Sequence, residues 1–294
     1  TLQYLNGLGT INSFCVQYKS LKSRSLPDCL KQKPENFFIR IEGYGKDKKW
    51  AENMVEITTK ASNMILDKKS FEEVMETIAN DYSELEFRRA KDTADLEKAI
   101  RTGVLRLKTD EALSTPFELK GQKYSTYGER YSKKAIERSK GYVIKQYLVK
   151  EPQGFEGAAT TQIFYSVGPQ EGKLAHSIRG TDCSFNYCKE IYNGLIENYA
   201  DKNLTKKDIK EINKQIASMH WLMAHAVFYE RGSDGITNAF IKSLYASLGF
   251  KTSPVKQGVG IDLEAFCTEH KDFIRKYTDF YETPPEYIKP KDRI

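Results

Sequence analysis

The residues with the clearest chemical potential lie in a polar bend between two apolar, helix-like segments. Residues 225–250 read HAVFYERGSDGITNAFIKSLYASLGF, and six consecutive positions of the bend are polar or glycine. If the second segment is a helix, the backbone N–H groups at its start can hold phosphate. Ser233 or Asp234 is expected to cap that helix. The predicted phosphate-binding residues of the bend are Arg231, Gly232, Ser233 and Gly235.

A second Arg-Gly turn, in SIRGTDCSF, repeats this design. Arg179 and Gly180 stand directly before another helix-like segment, which Asp182 or Ser184 is expected to cap. A guanidinium group binds phosphate oxygens through two parallel hydrogen bonds. We therefore expect the two turns to converge on one pyrophosphate, with Arg179 and Arg231 as its cations. The alternative is that both turns are ordinary helix N-termini.

The helix that leads into the bend carries His220 and His225. At 100° per residue, His220 lies close to the apolar Ile209–Val227 face, so we expect it to be structural. We predict that His225 is a general base and that Glu230 orients it or binds a metal. The histidines lie about 140° apart on a helix, unlike the i, i+4 pairs of zinc helices, so no metal site is predicted. In the structural alternative, both histidines donate to backbone carbonyls inside a helix hairpin.

The bend resembles the active-site loop of Fic and Doc proteins and of the AvrB-like effectors that share the Fido fold. That family has a central helix, a His-Pro-Phe-x-(Asp/Glu)-Gly-Asn-Gly-Arg loop and a second helix. Here His225 precedes Phe228, and Gly232-Ser233-Asp234-Gly235 takes the place of the glycine loop. His225 lies about two residues early, no proline follows it, and Ile236 or Thr237 replaces the arginine.

A second resemblance is to LnaB-type effectors, which transfer AMP and carry a serine followed far downstream by His-x-x-x-Glu. Ser177 or Ser184 would be the serine, and His225 and Glu230 form the related pattern His-x4-Glu. Both resemblances imply a bacterial effector or toxin that uses ATP and Mg²⁺ to modify a protein hydroxyl. We place Ser177, His225 and Glu230 in the catalytic set on this basis.

Helix signals dominate the chain and predict a mainly α fold. Capping-box patterns begin at Ser70 and Thr205, and the apolar period after Thr205 indicates a central buried helix over about 205–230. We expect a helical bundle around this helix, a short β element at TQIFYSV, and a last long helix from Asp262. The Gly- and Pro-rich stretch EPQGFEGAATT predicts a division into residues 1–152 and 153–294.

Composition limits the function classes. The chain is 39% hydrophobic and 29% charged with a net charge of +6, which is typical of a globular protein. No apolar run is long enough for a membrane helix. Five cysteines without a C-x-x-C pair predict reduced thiols in a compartment such as the cytosol, and the effector resemblance implies delivery into a host cell. The first residues lack an initiator Met and a signal-peptide pattern, so we expect a piece of a longer protein.

The excess positive charge is concentrated between residues 108 and 150, where ten Lys or Arg face five Asp or Glu. The basic-aromatic segment, residues 123–150, is typical of an amphipathic helix with a solvated basic face, or of a surface for an acidic protein partner. Its charge clustering is weaker than that of nucleic-acid binders, so we expect no nucleic acid. A non-catalytic module that binds a host protein is therefore the first alternative function. The second alternative function is an NAD-dependent ADP-ribosyltransferase. That class needs an arginine, a Ser-Thr-Ser-type strand and a glutamate, and Arg179 and the segment TTQIFYS resemble the first two.

Overall fold

The computed structural model describes eleven segments of the chain, and all structural statements refer to them. They are residues 48–83, 106–108, 117–119, 122–124, 146–164, 173–176, 180–200, 202–229, 232–256, 259–266 and 268–288. Most of the basic-aromatic segment lies outside the described residues. So do four of the predicted site residues, which are Ser177, Arg179, Glu230 and Arg231.

The fold is mainly α-helical, as the sequence predicts. The helices are α1 (Lys48–Leu66), α2 (Phe71–Ser83), α3 (Thr181–Tyr199), α4 (Lys206–Ala226), α5 (Ser233–Ser247), α6 (Ile261–Phe266) and α7 (His270–Lys276), with a 3₁₀ turn at Tyr277–Phe280. The strands are β1 (Arg106–Lys108), β2 (Phe117–Leu119), β3 (Gln122–Tyr124), β4 (Gln146–Leu148), β5 (Thr161–Phe164), β6 (Lys173–His176), β7 (Phe250–Lys251) and β8 (Glu286–Tyr287). None of the described helices combines the length and the apolar content needed to cross a bilayer.

The β structure consists of one small sheet and two short pairs. The sheet is antiparallel in the order β1-β6-β5-β4, while β2 pairs with β3 and β7 with β8. The strand predicted at TQIFYSV is confirmed as β5. A helix was predicted where β4 lies, and the prediction is wrong there because Gln146–Leu148 pairs with β5.

Helix α4 is the centre of the bundle. Its predicted capping box is confirmed, because Thr205 N donates to Asp208 Oδ2 at 2.8 Å and Asp208 N donates to Thr205 Oγ1 at 3.2 Å. Every residue from 216 to 226 is buried, since α4 contacts α3, α5, α6 and α7. A helix that is apolar nearly all round needs such neighbours on every side, and each large apolar side chain contributes about 1.5–3 kcal/mol when buried.

The first two helices pack onto the second half of the chain. The ring of Phe71 in α2 lies 5.0 Å from that of Phe185 in α3 and 5.3 Å from that of Phe240 in α5. Ser243 Oγ in α5 donates to the carbonyl of Thr58 in α1 at 3.0 Å. These contacts join α1 and α2 to the core of residues 180–288, while the domain boundary at 152 stays a prediction.

The last long helix of the sequence analysis is interrupted. Helix α6 ends at Phe266, α7 begins at His270, and the 3₁₀ turn follows Lys276. At this interruption, Trp221 Nε1 of α4 donates a hydrogen bond to the carbonyl of Thr268 at 3.0 Å. The tertiary contact overrides the continuous helix pattern of the sequence.

One lysine lies inside the core. Lys242 of α5 is 2% exposed, and its Nζ donates to Thr252 Oγ1 at 3.3 Å and to the carbonyl of Ser253 at 3.0 Å. Burial lowers the pKa of Lys242 from 10.5 to about 7. The unfolded chain therefore binds more protons than the folded one between about pH 7 and 10.5. Stability therefore rises with pH in that window because of Lys242. Below about pH 7 the lysine is charged in both states, and its burial destabilises the fold by the full amount.

We predict that Lys242→Met removes this pH dependence. The wild-type free energy of unfolding should increase between pH 7 and 9, by at most about 1.4 kcal/mol per pH unit. At pH 6 the variant should be more stable than the wild type by about 1–3 kcal/mol, because no buried charge remains. Urea unfolding at a series of pH values measures both effects. Lys251→Met, at an exposed neighbouring position, is the control. Equal pH slopes in wild type and Lys242→Met would contradict the prediction.

Candidate functional site

The polar bend is confirmed as a connection between two helices. Helix α4 ends at Ala226, and Val227 follows in the left-handed conformation with φ 45° and ψ 63°. That backbone costs a β-branched residue about 1–2 kcal/mol. Gly232, with φ 75° and ψ 5°, is the N-cap of α5, so the predicted capping by Ser233 or Asp234 is wrong. A glycine occupies the capping position, and Ser233 is already the first helical residue.

The two glycines of the bend lie against Tyr82, the penultimate residue of α2. A Cβ atom at Gly232 would lie 2.5 Å from Tyr82 Cε1, and one at Gly235 would lie 2.7 Å from Cε2. Tyr82 is 1% exposed, so its ring cannot move aside into solvent. One face of the first turn of α5 is therefore covered by an aromatic ring. This packing requires glycine at both positions, and the predicted approach of phosphate to the backbone would require it as well.

The other face of this turn lines a small pocket between α4, α5 and α6. The pocket contains about 290 Å³ of space with its mouth included, of which only about 10 Å³ admits the centre of a water-sized molecule. That is room for about one water or one oxygen atom of a larger ligand. The lining residues are His220, Ala224, Val227, Ser233, Asp234, Thr237, Asp262 and Phe266.

His220 is the histidine that lines the pocket. It is fully buried, and its Nδ1 lies 2.7 Å from the hydroxyl oxygen of Tyr277. Its other ring nitrogen, Nε2, has no hydrogen-bond partner among the residues that the structure describes. Burial lowers the pKa of His220 to about 3, so the imidazole is neutral at pH 7. The burial expected of His220 is confirmed. The helix projection did not predict that His220 also lines the pocket.

His225, the predicted base, is also fully buried. Its Nε2 donates to the carbonyl of Ala265 in α6 at 3.0 Å, and its ring centroid lies 3.9 Å from that of Trp221. Burial lowers the pKa of His225 to about 3, although the hydrogen bond to Ala265 opposes this shift and His270 adds to it. The ring is held between α4 and α6 and is not among the lining residues of the pocket.

Two carboxylates line the pocket beside the helix N-terminus. Asp234 lies in the first turn of α5, where the helix dipole stabilises its charge, and its Oδ1 accepts from Asn238 Nδ2 at 2.9 Å. Asp262 lies in the first turn of α6. The described residues contain no set of three histidine, cysteine or carboxylate side chains suited to a metal ion. One or two carboxylates together with phosphate oxygens and water are, however, the ligands that Mg²⁺ prefers.

The glycine of the second Arg-Gly turn has nearly the same backbone angles as that of the first. Gly180 is the N-cap of α3 with φ 83° and ψ 4°, and no side chain caps that helix. The predicted capping by Asp182 or Ser184 is wrong, since Ser184 Oγ accepts from Ala159 N at 2.9 Å instead. A Cβ atom at Gly180 would lie 2.6 Å from Ala159 N, so the backbone of residues 157–159 needs a glycine there. Convergence of the two turns on a ligand stays a prediction.

The structure brings some of the predicted residues together and adds others. Ser233 lines the pocket, while Gly232 and Gly235 face Tyr82 on the opposite side of the turn. The sequence analysis missed the lining residues Thr237 and Asp262, and it missed Tyr277, which contacts His220. Asp262 and Tyr277 lie far from the bend along the chain, so no local pattern connects them to it.

Fold and site together define a helical protein with a polar pocket at the N-terminus of an internal helix. Residues 170–284 match the sequence model of the AvrB_AvrC family, described as avirulence protein. The match covers less than half of the chain but includes α3 to α7 and every residue of the pocket. It supports the broader part of the resemblance, a bacterial effector similar to AvrB. No curated protein matches the sequence.

We predict that Gly235→Ala destabilises the protein by about 1–3 kcal/mol, because the added methyl group overlaps the ring of Tyr82. In a Tyr82→Ala background the same substitution should cost nothing further, which a double-mutant cycle of urea unfolding measures. Gly194→Ala is the matched control, since Gly194 lies inside α3 with nothing within 4 Å of its added Cβ. That change should stabilise by about 0.5–1 kcal/mol. An equal cost in both backgrounds would show that Tyr82 does not set the requirement for glycine.

Proposed function

We propose that this chain is a bacterial effector that transfers AMP from ATP to a hydroxyl group of a protein. The observation that carries the proposal is the pocket between the end of α4 and the first turn of α5. It lies at the bend where the sequence predicts phosphate binding, within the segment that matches the avirulence family.

The phosphates of the nucleotide would lie over the mouth of this pocket, because the interior has room for only about one oxygen atom. The first N–H groups of α5 have no acceptor within their own helix and point toward its N-terminal end. Together with the helix dipole they favour an anion beside Ser233. Arg231 precedes Gly232 in the chain and would add a cation, as would Arg179 from the second turn.

The carboxylates of Asp234 and Asp262 would repel bare phosphate, so the proposal requires Mg²⁺. The two side chains line the same pocket and fit the oxygen donor set of this ion. Bound Mg²⁺ would neutralise charge on the phosphates and on the leaving pyrophosphate. Asp234 and Asp262 are the residues of this chain that would hold it.

In the transfer, the target hydroxyl oxygen would form a bond to the α-phosphorus of ATP and the bond to pyrophosphate would break. The hydroxyl proton would pass to a general base, for which the sequence nominates His225, with Glu230 as its orienting group and Ser177 as a further member of the catalytic set. An enclosed, neutral His225 must be reached by its substrate through local opening of α6.

The acidic protein partner would be attracted by the basic-aromatic segment, residues 123–150.

We predict that ATP with Mg²⁺ raises the melting temperature of the protein. A ligand at 100 times its Kd stabilises the folded state by about 2.7 kcal/mol, a shift of roughly 5–10 °C in a chain of this size. Arg231→Ala should remove most of the shift. Arg275→Ala is the matched control, because Arg275 is exposed on α7 and pairs only with Asp272 among the residues described. If ATP, GTP, UTP and NAD at millimolar concentration all leave the transition in place, the nucleotide proposal is wrong.

The transferase activity itself is tested by the intact mass of candidate host proteins after incubation with ATP and Mg²⁺. We expect a gain of one AMP unit, which Asp262→Asn should reduce at least tenfold because it removes one of the two carboxylates proposed for Mg²⁺. Asp279→Asn, at an exposed position outside the pocket, is the matched control. A gain seen only with NAD would indicate ADP-ribosyl transfer instead. Stable binding of a partner without any mass gain would identify a non-catalytic binding module.

A further inference from the structure

The polar atom that most needs a ligand in this site is Nε2 of His220. The residue is fully buried, lines the pocket at the start of α5, and has no hydrogen-bond partner for this nitrogen among the described residues. A buried polar atom without a partner is rare in folded proteins and destabilises them. The pocket that the residue lines has room for about one oxygen atom.

Two tyrosines hold the imidazole ring in this position. Tyr277 OH lies 2.7 Å from His220 Nδ1 and 3.1 Å from the hydroxyl oxygen of Tyr281, and all three residues are buried. The contact at Nδ1 fixes the orientation of the ring, and when Tyr277 OH donates to Nδ1 the ring proton lies on Nε2, which can then donate to a ligand. A ring fixed in this way is prepared to bind a ligand without losing further side-chain freedom.

The remaining polar groups of the pocket surround the same small space. Ser233 and Thr237 supply hydroxyl groups, and Asp234 and Asp262 supply carboxylates. The first turn of α5 adds its backbone N–H groups. An oxygen atom of a phosphate-bearing ligand suits the hydroxyl and N–H donors when Mg²⁺ offsets the carboxylates, and the neutral imidazole would complete its hydrogen bonds.

We propose that His220 is a ligand-binding residue of this site, and that its Nε2 forms a hydrogen bond with an oxygen atom of a phosphate-bearing ligand bound at the start of α5. This inference rests on the proposed function for the class of ligand. It adds His220 to the phosphate-binding residues and leaves the role of general base with His225. Tyr277 is a positioning residue, because it acts on the ligand only through the imidazole.

The direct test is NMR of the wild-type protein labelled with ¹⁵N at its four histidines. Inorganic phosphate, pyrophosphate and ATP with Mg²⁺ are added in turn, and the ring nitrogens are followed. We expect the Nε2 resonance of His220 to shift with at least one probe, while the Nε2 of His225, which is bonded to Ala265, stays in place. This measurement needs no variant that could fail to fold.

Variants provide a second measurement, by calorimetry with the probe that moves His220. His220→Leu should weaken binding about 5- to 30-fold, whereas His220→Gln, which keeps a polar group near the position of Nε2, should retain most of the affinity. Tyr277→Phe should weaken binding by a smaller factor and should alter the tautomer signal of His220 in the free protein. Arg275→Ala, at an exposed position of α7 outside the pocket, is the control and should bind the probe as the wild type does.

The outcomes separate this inference from the proposed function. If ATP binds and Arg231→Ala abolishes binding, but the His220 nitrogens do not move and His220→Leu binds normally, the inference is overturned while the nucleotide site remains. If ATP does not bind but phosphate or pyrophosphate moves Nε2, the inference stands and the nucleotide function falls. No response of His220 to any of the three probes would falsify the inference.

Discussion

The architecture depends on the contact of the Tyr82 ring with Gly232 and Gly235. This contact places α2 on one face of the first turn of α5 and leaves no room for a side chain at either glycine. The opposite face of the same turn is then available to α4 and α6, which enclose the pocket with Ser233. One close approach of an aromatic ring to the backbone thus positions the helix N-terminus on which the candidate chemistry relies.

The polar residues inside the core follow from the central position of α4. Its last three turns are surrounded by helices, so His220 and His225 are desolvated and their pKa values fall to about 3. Each ring finds a different partner, Ala265 for His225 and Tyr277 for His220. In the part of the chain that the structure describes, the second arrangement leaves His220 Nε2 without a hydrogen-bond partner. The two histidines therefore differ in hydrogen bonding because of their neighbours and not because of their burial.

The pocket and the avirulence-family match lie in the same part of the chain. Residues 170–284 contain α3 to α7, while α1 and α2 pack on this unit from outside the match. In this chain the pocket carries carboxylates and a neutral histidine, whereas the excess of basic residues lies between 108 and 150. A nucleotide with Mg²⁺ and an acidic protein partner are compatible with that separation of charge.

The sequence by itself determined the helical class, the capping box at Thr205, the burial of α4 and the polar bend, because these depend on patterns within one or two turns. It also located the starts of α3 and α5 at two Arg-Gly pairs, and the structure adds that Gly180 and Gly232 are left-handed. Only the tertiary structure decided which histidine lines the pocket. The helix projection gives a direction for His220 and His225, but whether Tyr277 or Ala265 lies in that direction depends on packing of distant segments. The contribution of Asp262 and the break after Phe266 have the same origin, because both are set by contacts of α6 with α4.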